Sequence, residues 1–511
     1  MGFSGVKRVG RQSFVKGALI LLIASVLVRI IGFVYQVIII RLISTEGIGI
    51  FNMIYPLYIT AMVLVTAGFP PAVAKSVAEE IARNNRATVE NILGTAVTTL
   101  LLIASCGSLI LVLCAPLILR HIYSDPRVIP SFLILLPSLL MIAVSSTIKG
   151  FFQGMQDMRP TALNQLIEQI VRVLSGIGLV RLILPYGLTW ATVGLAASVL
   201  LSELAGLIYL FYCFKRYSRT IRLLVRPDIK ILGKLFAFGI PITVTRVVAT
   251  IVNSCEASLI PRQIMRAGSS LSQAASFYGE LTGVAFTLLM IPSTLSFSLS
   301  TSLLPAVSEA QSRNQKELLS HRASYALGIT LIAGVPCAII LFNWGAVITR
   351  LLFNADQAGY LLRLLSLGSL FLYLSQTTSG ILQGTGCVRS IFVNTLVAGF
   401  LRLAGIFLFG SHAVYGVAGI ALSFVASFVI LALLNLIVIQ RLAGIRLESF
   451  FFLRLALCSG VLIMLLQNSI TLVQQNVLLL LFLVLAYILI YCTLLFITGD
   501  KYIRVLFDKK K

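Results

Sequence analysis

Apolar runs of seventeen to twenty-nine residues, separated by short polar clusters, recur along nearly the whole chain. They fall near 14–40, 48–69, 91–115, 128–149, 161–183, 188–212, 236–259, 276–304, 324–343, 359–381, 391–410, 413–439, 454–470 and 477–497. A helix needs ~20 apolar residues to cross the hydrocarbon core of a bilayer. The pattern therefore predicts an all-α polytopic membrane protein with about fourteen transmembrane helices. Composition agrees with this. Of 511 residues 58% are apolar and 11% charged, against ~25% charged in a soluble domain, and the mean hydropathy is +1.00. Such a chain cannot clothe a water-facing surface, which excludes a soluble enzyme, a disordered scaffold and a nucleic-acid-binding domain.

The net charge of +23 places the basic excess at the cytoplasmic membrane face rather than on nucleic acid. Lys7, Arg8, Arg11 and Lys16 before apolar Gly17–Val28 resemble a secretory signal. The apolar run resumes after Arg29 with no small-residue cleavage site, so the segment reads as a first span with a cytoplasmic N-terminus. With that orientation, 28 of the 40 Lys and Arg residues lie inside, eight lie in outer loops or outer helix ends, and four lie deep in spans. Trp190 and Trp344 both fall at the expected outer boundary, where indole rings prefer to sit. The basic stretch 215–235 divides the chain. Its interleaved Ile221, Leu223, Leu224, Ile229 and Leu232 fit a helix on the inner leaflet, and they fit a solvated linker equally well.

Residues 145–173 and 375–403 align without a gap at an offset of 230, with nine of 29 positions identical, among them Asn164/Asn394 and Arg172/Arg402. A weaker echo links Pro71-Ala72-Val73 to Pro305-Ala306-Val307. Each copy holds six spans, an even number, so the halves run parallel. The expected organisation is a lobe at 14–214, the linker at 215–235, a second lobe at 236–440, and two appended helices at 454–497. Two parallel repeats meeting at a cleft form a transporter architecture.

The candidate chemistry lies at mid-depth. At 1.5 Å per residue, Arg29 lies ~22 Å into its span, Arg172 ~16 Å, and Arg246 and Arg402 ~15 Å. Facing lipid, four arginines would cost ~10–14 kcal/mol together. Glu168 and Glu203 return only two negative charges, and Glu280 and Glu256 lie nearer outer ends. The net cationic interior favours an anionic substrate, because guanidinium forks match phosphate oxygens. Glu168 stands four residues before Arg172 and can pair with it, either as an internal brace or as a tuned substrate pair. Gly239, Pro241 and Pro292 interrupt spans seven and eight around Arg246, where a gate could bend.

No Walker, Rossmann or HExxH pattern occurs, so neither cofactor nor catalytic residue is expected. The eight cysteines lack a CxxC pair and read as small buried hydrophobes, and the three histidines are scattered, so no metal site is expected.

Several motifs resemble the multidrug/oligosaccharidyl-lipid/polysaccharide (MOP) flippase superfamily, in its stage V sporulation protein B and polysaccharide-transporter branch. They are Gly47-Ile48-Gly49-Ile50-Phe51, Gly68-Phe69-Pro70, Phe152 to Ala162 with Glu168 to Arg172, and Tyr278 to Gly283 running on to Ser302–Ala310. The resemblance covers about residues 14–440. It implies two six-helix lobes that move undecaprenyl-pyrophosphate sugars by alternating access, in the sporulation branch for spore cortex peptidoglycan. In the related lipid II flippases an essential arginine precedes Gly-Phe in span one, as Arg29 precedes Gly32-Phe33. Their second arginine is Tyr35 here, a departure that leaves the glycolipid's identity open. The implied partners are an anionic lipid-linked sugar, membrane lipids and cell-wall synthesis proteins. The implied location is the bacterial cytoplasmic membrane, extending to the forespore membrane, with no nucleic acid partner. A cation-coupled drug exporter would need buried acids in this net basic interior. A polyprenyl-phosphate enzyme would need a DxD or a paired acid and base. A non-transporting assembly partner is the remaining alternative.

The orientation is testable by labelling single cysteines placed in the linker and at both termini. Reagents confined to the cytoplasmic side are expected to reach all three, and labelling of 215–234 only from outside would overturn the span count.

Overall fold

The computed structural model describes residues 14–66, 68–83, 85–217, 227–445, 448–469 and 476–499. The basic N-terminal residues, the C-terminal tail and the linker positions Ile221, Leu223 and Leu224 lie outside the described residues. Helices α1 (Phe14–Thr66), α2 (Phe69–Ala82), α3 (Arg86–Ile122), α4 (Val128–Leu135), α5 (Ser138–Gly154), α6 (Arg159–Ile183) and α7 (Leu188–Tyr217) precede the linker. After it come α8 (Ile229–Arg266), α9 (Leu271–Gly279), a π-helical turn (Glu280–Ala285), α10 (Phe286–Ser312), α11 (Lys316–Phe353), α12 (Asp356–Gly384), α13 (Val388–Phe409) and α14 (Gly416–Ala443). Helices α15 (Ser449–Asn468) and α16 (Val477–Ile497) end the described chain. No strand occurs among these residues.

Eleven stretches are long and apolar enough to cross a membrane. The first, Ile20–Ala82, is 63 residues long and holds two expected spans, because α1 bends at Ser44 (φ 61°, ψ 178°). Helices α6 and α8, which carry Glu168 and Arg172 and Arg246 and Glu256 respectively, are also long enough to cross but are not among the eleven. Fourteen spans are thus compatible with the helices observed. The Ser44 bend lies outside the ordinary region for a residue with a Cβ and is tied down two residues later. Arg127 donates to Glu46 at 2.7 Å and to Asp125 at 2.8 Å. The hydrogen bonds to Asp125, helped by Glu46, raise the guanidinium's pKa above its ordinary value.

The chain divides into two compact units, residues 1–258 and 259–511. In the first, α5 packs against α2, α3 and α7, and α6 against α7 and α1. In the second, α12 packs against α10, α11 and α14, and α13 against α14. The neighbour scheme of α3, α5, α6 and α7 is therefore repeated by α11, α12, α13 and α14. Paired glycines permit it. A Cβ at Gly154 would lie 2.6 Å from the Ala74 carbonyl of α2, and one at its repeat counterpart Gly384 would lie 2.8 Å from Val307 of α10.

Two expectations are corrected. Trp190 is 54% exposed at the start of α7, as a boundary residue should be, but Trp344 is fully buried. Its indole N–H donates to the Leu466 carbonyl at 3.1 Å and its ring lies 5.6 Å from Tyr487. Helices α15 and α16 cover it, so the aromatic group docks protein instead of the interface. The cysteines are all free, yet only Cys458 is buried while Cys106 and Cys255 are exposed. A thiol is apolar enough to face lipid as readily as core.

Thermal unfolding in detergent tests the close packing. Gly154→Ala should cost about 1–3 kcal/mol by overpacking, whereas Gly178→Ala, with nothing within 4 Å of the added carbon, should be neutral or mildly stabilising.

Candidate functional site

Spacings of four residues place Asn164, Glu168 and Arg172 on one face of α6, looking toward α5 and α7. The Glu168 carboxylate accepts from the Asn164 amide at 2.5 Å and from the Lys149 ammonium of α5 at 3.0 Å. Room for it comes from α7, where a Cβ at Gly206 would lie 2.6 Å from the same carboxylate oxygen. One turn on, Arg172 turns to α7. Its Nε donates to the Ser202 hydroxyl at 3.3 Å, and its Nη2 lies 3.7 Å from Glu203 Oε1. All four charged side chains are largely enclosed.

The expected Glu168–Arg172 pair is therefore not the one formed. On one helix two side chains at i and i+4 meet only if neighbouring helices offer nothing better, and here each finds a partner across a helix interface. Lys149 decides the exchange. The hydropathy pattern puts it at the inner end of a span, but it lies within α5 and reaches into the cluster. One signal for this was present in the internal repeat. Lys149 and Glu168 are both charged in the first copy, and both are neutral, Ser379 and Ala398, in the second. Charges that vanish together imply a pair.

Aromatic hydroxyls from α1 border the cluster. Tyr35 sits against Gly176, where an added Cβ would clash with its ring. Tyr55 and Tyr58 lie within electrostatic reach of Arg172, and the buried Tyr58 hydroxyl shares a 2.7 Å hydrogen bond with Ser138. Gly32 approaches Gln169 of α6, so α1 and α6 run parallel. Arg29 stands one turn before Gly32 and is exposed, as is Arg246 on α8. Both belong to the first unit.

In the second unit the corresponding helices carry a neutral network. Asn394 of α13 donates to Asn435 of α14 at 2.9 Å, and Asn435 donates to Thr378 and Ser379 of α12 at 3.2 Å each. Arg402, the counterpart of Arg172, lies over the Phe424 ring of α14 at 5.0 Å. Glu280 is buried on the π-helical turn. Gly239 is buried in α8 with its backbone against Gly68. Helices α8 and α10 continue through positions 241 and 292.

The arrangement holds a balanced set of two cations and two anions inside α5–α7, while Arg29 and Arg246 present guanidinium groups from long apolar helices. Comparison with known proteins agrees with a transporter. The family model described as polysaccharide biosynthesis protein matches residues 14–311, and one described as MatE matches residues 281–408. Stage V sporulation protein B of Bacillus subtilis (strain 168) is 30% identical over 446 residues, 86% of each chain. The lipid II flippase MurJ of the same organism is 24% identical over 355 residues, 64% of each chain. A solved structure of lipid II flippase MurJ in an inward closed conformation shares the fold, with a TM-score of 0.73 at 17% identity over 96% of this chain and 100% of that one.

Double-mutant cycles on thermal stability check the partner assignment. Lys149→Met and Glu168→Gln should couple by about 1 kcal/mol or more, as residues in one network do, and Glu168→Gln with Arg172→Met by less. Stronger coupling of the second pair would restore the pairing within α6.

Proposed function

The chain belongs to the polysaccharide biosynthesis protein family of the MOP superfamily, and from that premise we propose that it moves an anionic lipid-linked oligosaccharide across the bacterial cytoplasmic membrane by alternating access. The observation that carries the reading is the exposure of Arg29 and Arg246 on membrane-length helices. A guanidinium facing hydrocarbon costs ~2.5–3.5 kcal/mol or more, so these positions are economical only if they open onto water or an anion.

The substrate class proposed is an undecaprenyl-pyrophosphate sugar, with a peptidoglycan precursor as the first candidate. A relative named as a lipid II flippase and another named as a sporulation protein support that choice. A pyrophosphate leaving water needs comparably polar ligands, and planar forks on Arg29 and Arg246 supply paired donors. Lys149, Glu168, Arg172 and Glu203 form a neutral set that keeps Arg172 oriented toward α7, and Arg402 is held by Phe424. In this reading the lobes 14–214 and 236–440 rock as parallel repeats, Gly239, Pro241 and Pro292 are the bending points, and 454–497 is an appendage. The protein is a transporter, not an enzyme, with both termini cytoplasmic. Its service to spore cortex synthesis at the forespore membrane, beside wall-synthesis proteins, belongs to the same proposal.

Reconstitution with a labelled lipid-linked precursor tests it. Arg29→Ala should lower flipping about 10- to 100-fold, the worth of one or two charge-assisted hydrogen bonds, and Arg29→Lys should retain part of the activity because charge survives without the fork. The same ranking is expected at Arg246. Full activity in Arg29→Ala at normal membrane abundance would overturn the mechanism.

A further inference from the structure

We propose that Lys75 and Lys234, gathered at the Phe238 ring where α2 meets α8, form an inner-leaflet loading site for the diphosphate of a polyprenyl-linked sugar, occupied before the substrate reaches Arg246. The inference rests on the transport reading above and adds a first binding step to it.

Contacts inside the first unit fix α8 on α2 and α3. A Cβ at Gly68, whose φ is 65°, would collide with the Gly239 backbone, so the chains touch at a point that glycine alone permits. The Phe69 and Phe236 rings pack edge to face at 5.2 Å. The Asp228 amide donates to the Thr95 hydroxyl of α3 at 3.0 Å, just ahead of the start of α8 at Ile229. This frame holds Lys75 Nζ 4.8 Å from the centre of the Phe238 ring. A ring face attracts an ammonium at that range, yet it leaves most of the three N–H donors for another acceptor.

Lys234 and Lys230 precede Phe238 by four and eight residues, on the same side of α8. All three lysines are exposed, and Phe238 is 38% exposed. The neighbouring acids do not neutralise them. Asp228 caps α8 by accepting from the Lys230 and Ile231 amides, and Glu80 pairs with Arg83 at 3.1 Å. Glu79, one turn after Lys75, forms no ion pair among the described residues. The packing frame does not itself require a lysine. The echo of Pro71-Ala72-Val73 in Pro305-Ala306-Val307 puts Glu309 at the position of Lys75, and there Arg313 and Arg322 neutralise the acid at 3.1 and 3.7 Å.

Depth points to the ligand. The apolar run of α8 begins at Phe236, which puts Lys234 in the headgroup layer and Phe238 just inside the hydrocarbon. Arg246 stands eight residues beyond Phe238, about 12 Å along the helix. A lipid carrying phosphate at headgroup depth meets Lys234 and Lys75 first, and Arg246 only after it has entered. A diphosphate carries more charge than the single phosphate of an ordinary phospholipid, and lysines near the membrane surface attract it in proportion.

Two experiments on the full-length protein test this. In the first, benzoylphenylalanine replaces Phe238, keeping an aryl ring beside Lys75, and the protein is irradiated in nanodiscs holding a radiolabelled undecaprenyl-pyrophosphate sugar. The label should cross-link. Unlabelled undecaprenyl pyrophosphate should compete it away, whereas undecaprenol or phosphatidylglycerol in the same amount should not. Lys75→Gln with Lys234→Gln should cut the yield several-fold, and Lys75→Arg with Lys234→Arg should keep it. No cross-link, equal competition by phosphatidylglycerol, or an unchanged yield in the glutamine variant overturns the loading site. In the second, flipping is measured in proteoliposomes against precursor concentration. The glutamine variant should raise KM about 10- to 30-fold, the effect of two lysines near a charged surface, with the maximal rate within about twofold of wild type, as loss of uniform binding requires. Added salt should raise KM for wild type and not for the variant. An unchanged KM, or a loss confined to the maximal rate, overturns the site. Wild type that flips nothing overturns the transport reading instead, and the cross-linking then decides the site by itself.

Discussion

The 3.0 Å salt bridge between Lys149 and Glu168 sets the arrangement of the first unit. Largely enclosed between helices, the pair has little water to compete with it, and breaking one partner of an enclosed pair strands the other at about 3–5 kcal/mol. To make the bridge, α5 and α6 must stand in one rotational setting. In that setting the carboxylate projects at α7, which can approach only because position 206 is glycine. Arg172, deprived of the acid one turn below it, then faces Ser202 and Glu203 of α7. Three helices are thereby locked by one pair of charges, and the hydroxyls of α1 close around the result.

The second unit solves the same packing problem with neutral groups. Asn435 occupies the role that the Glu168 carboxylate has in the first unit, reaching Asn394, Thr378 and Ser379. Amide networks need less desolvation than ion pairs, and fully bonded ones still specify one register. The two copies have kept the helix scheme and the Gly154/Gly384 contacts while dividing the chemistry. Charge sits in the interior of α5–α7 in one, and on the isolated Glu280 and the ring-stacked Arg402 in the other.

Much of this was legible in the chain. The length of the apolar runs and the 230-residue repeat determined an all-helical membrane protein of two like halves, because those features depend only on local hydropathy and on counting. The cationic residues Arg29, Arg172, Arg246 and Arg402 stood out for the same reason, since a charge is conspicuous in an apolar run. The partners of those charges were decided only by tertiary structure. A helix apolar on every side carries no stripe to show which face meets which neighbour, so its rotation about its own axis is absent from the hydropathy pattern. That rotation turned Glu168 from Arg172 to Lys149, and buried Trp344 beneath α15 and α16. It also left Glu280 on its π-helical turn without a donor, a condition that no spacing along the chain encodes.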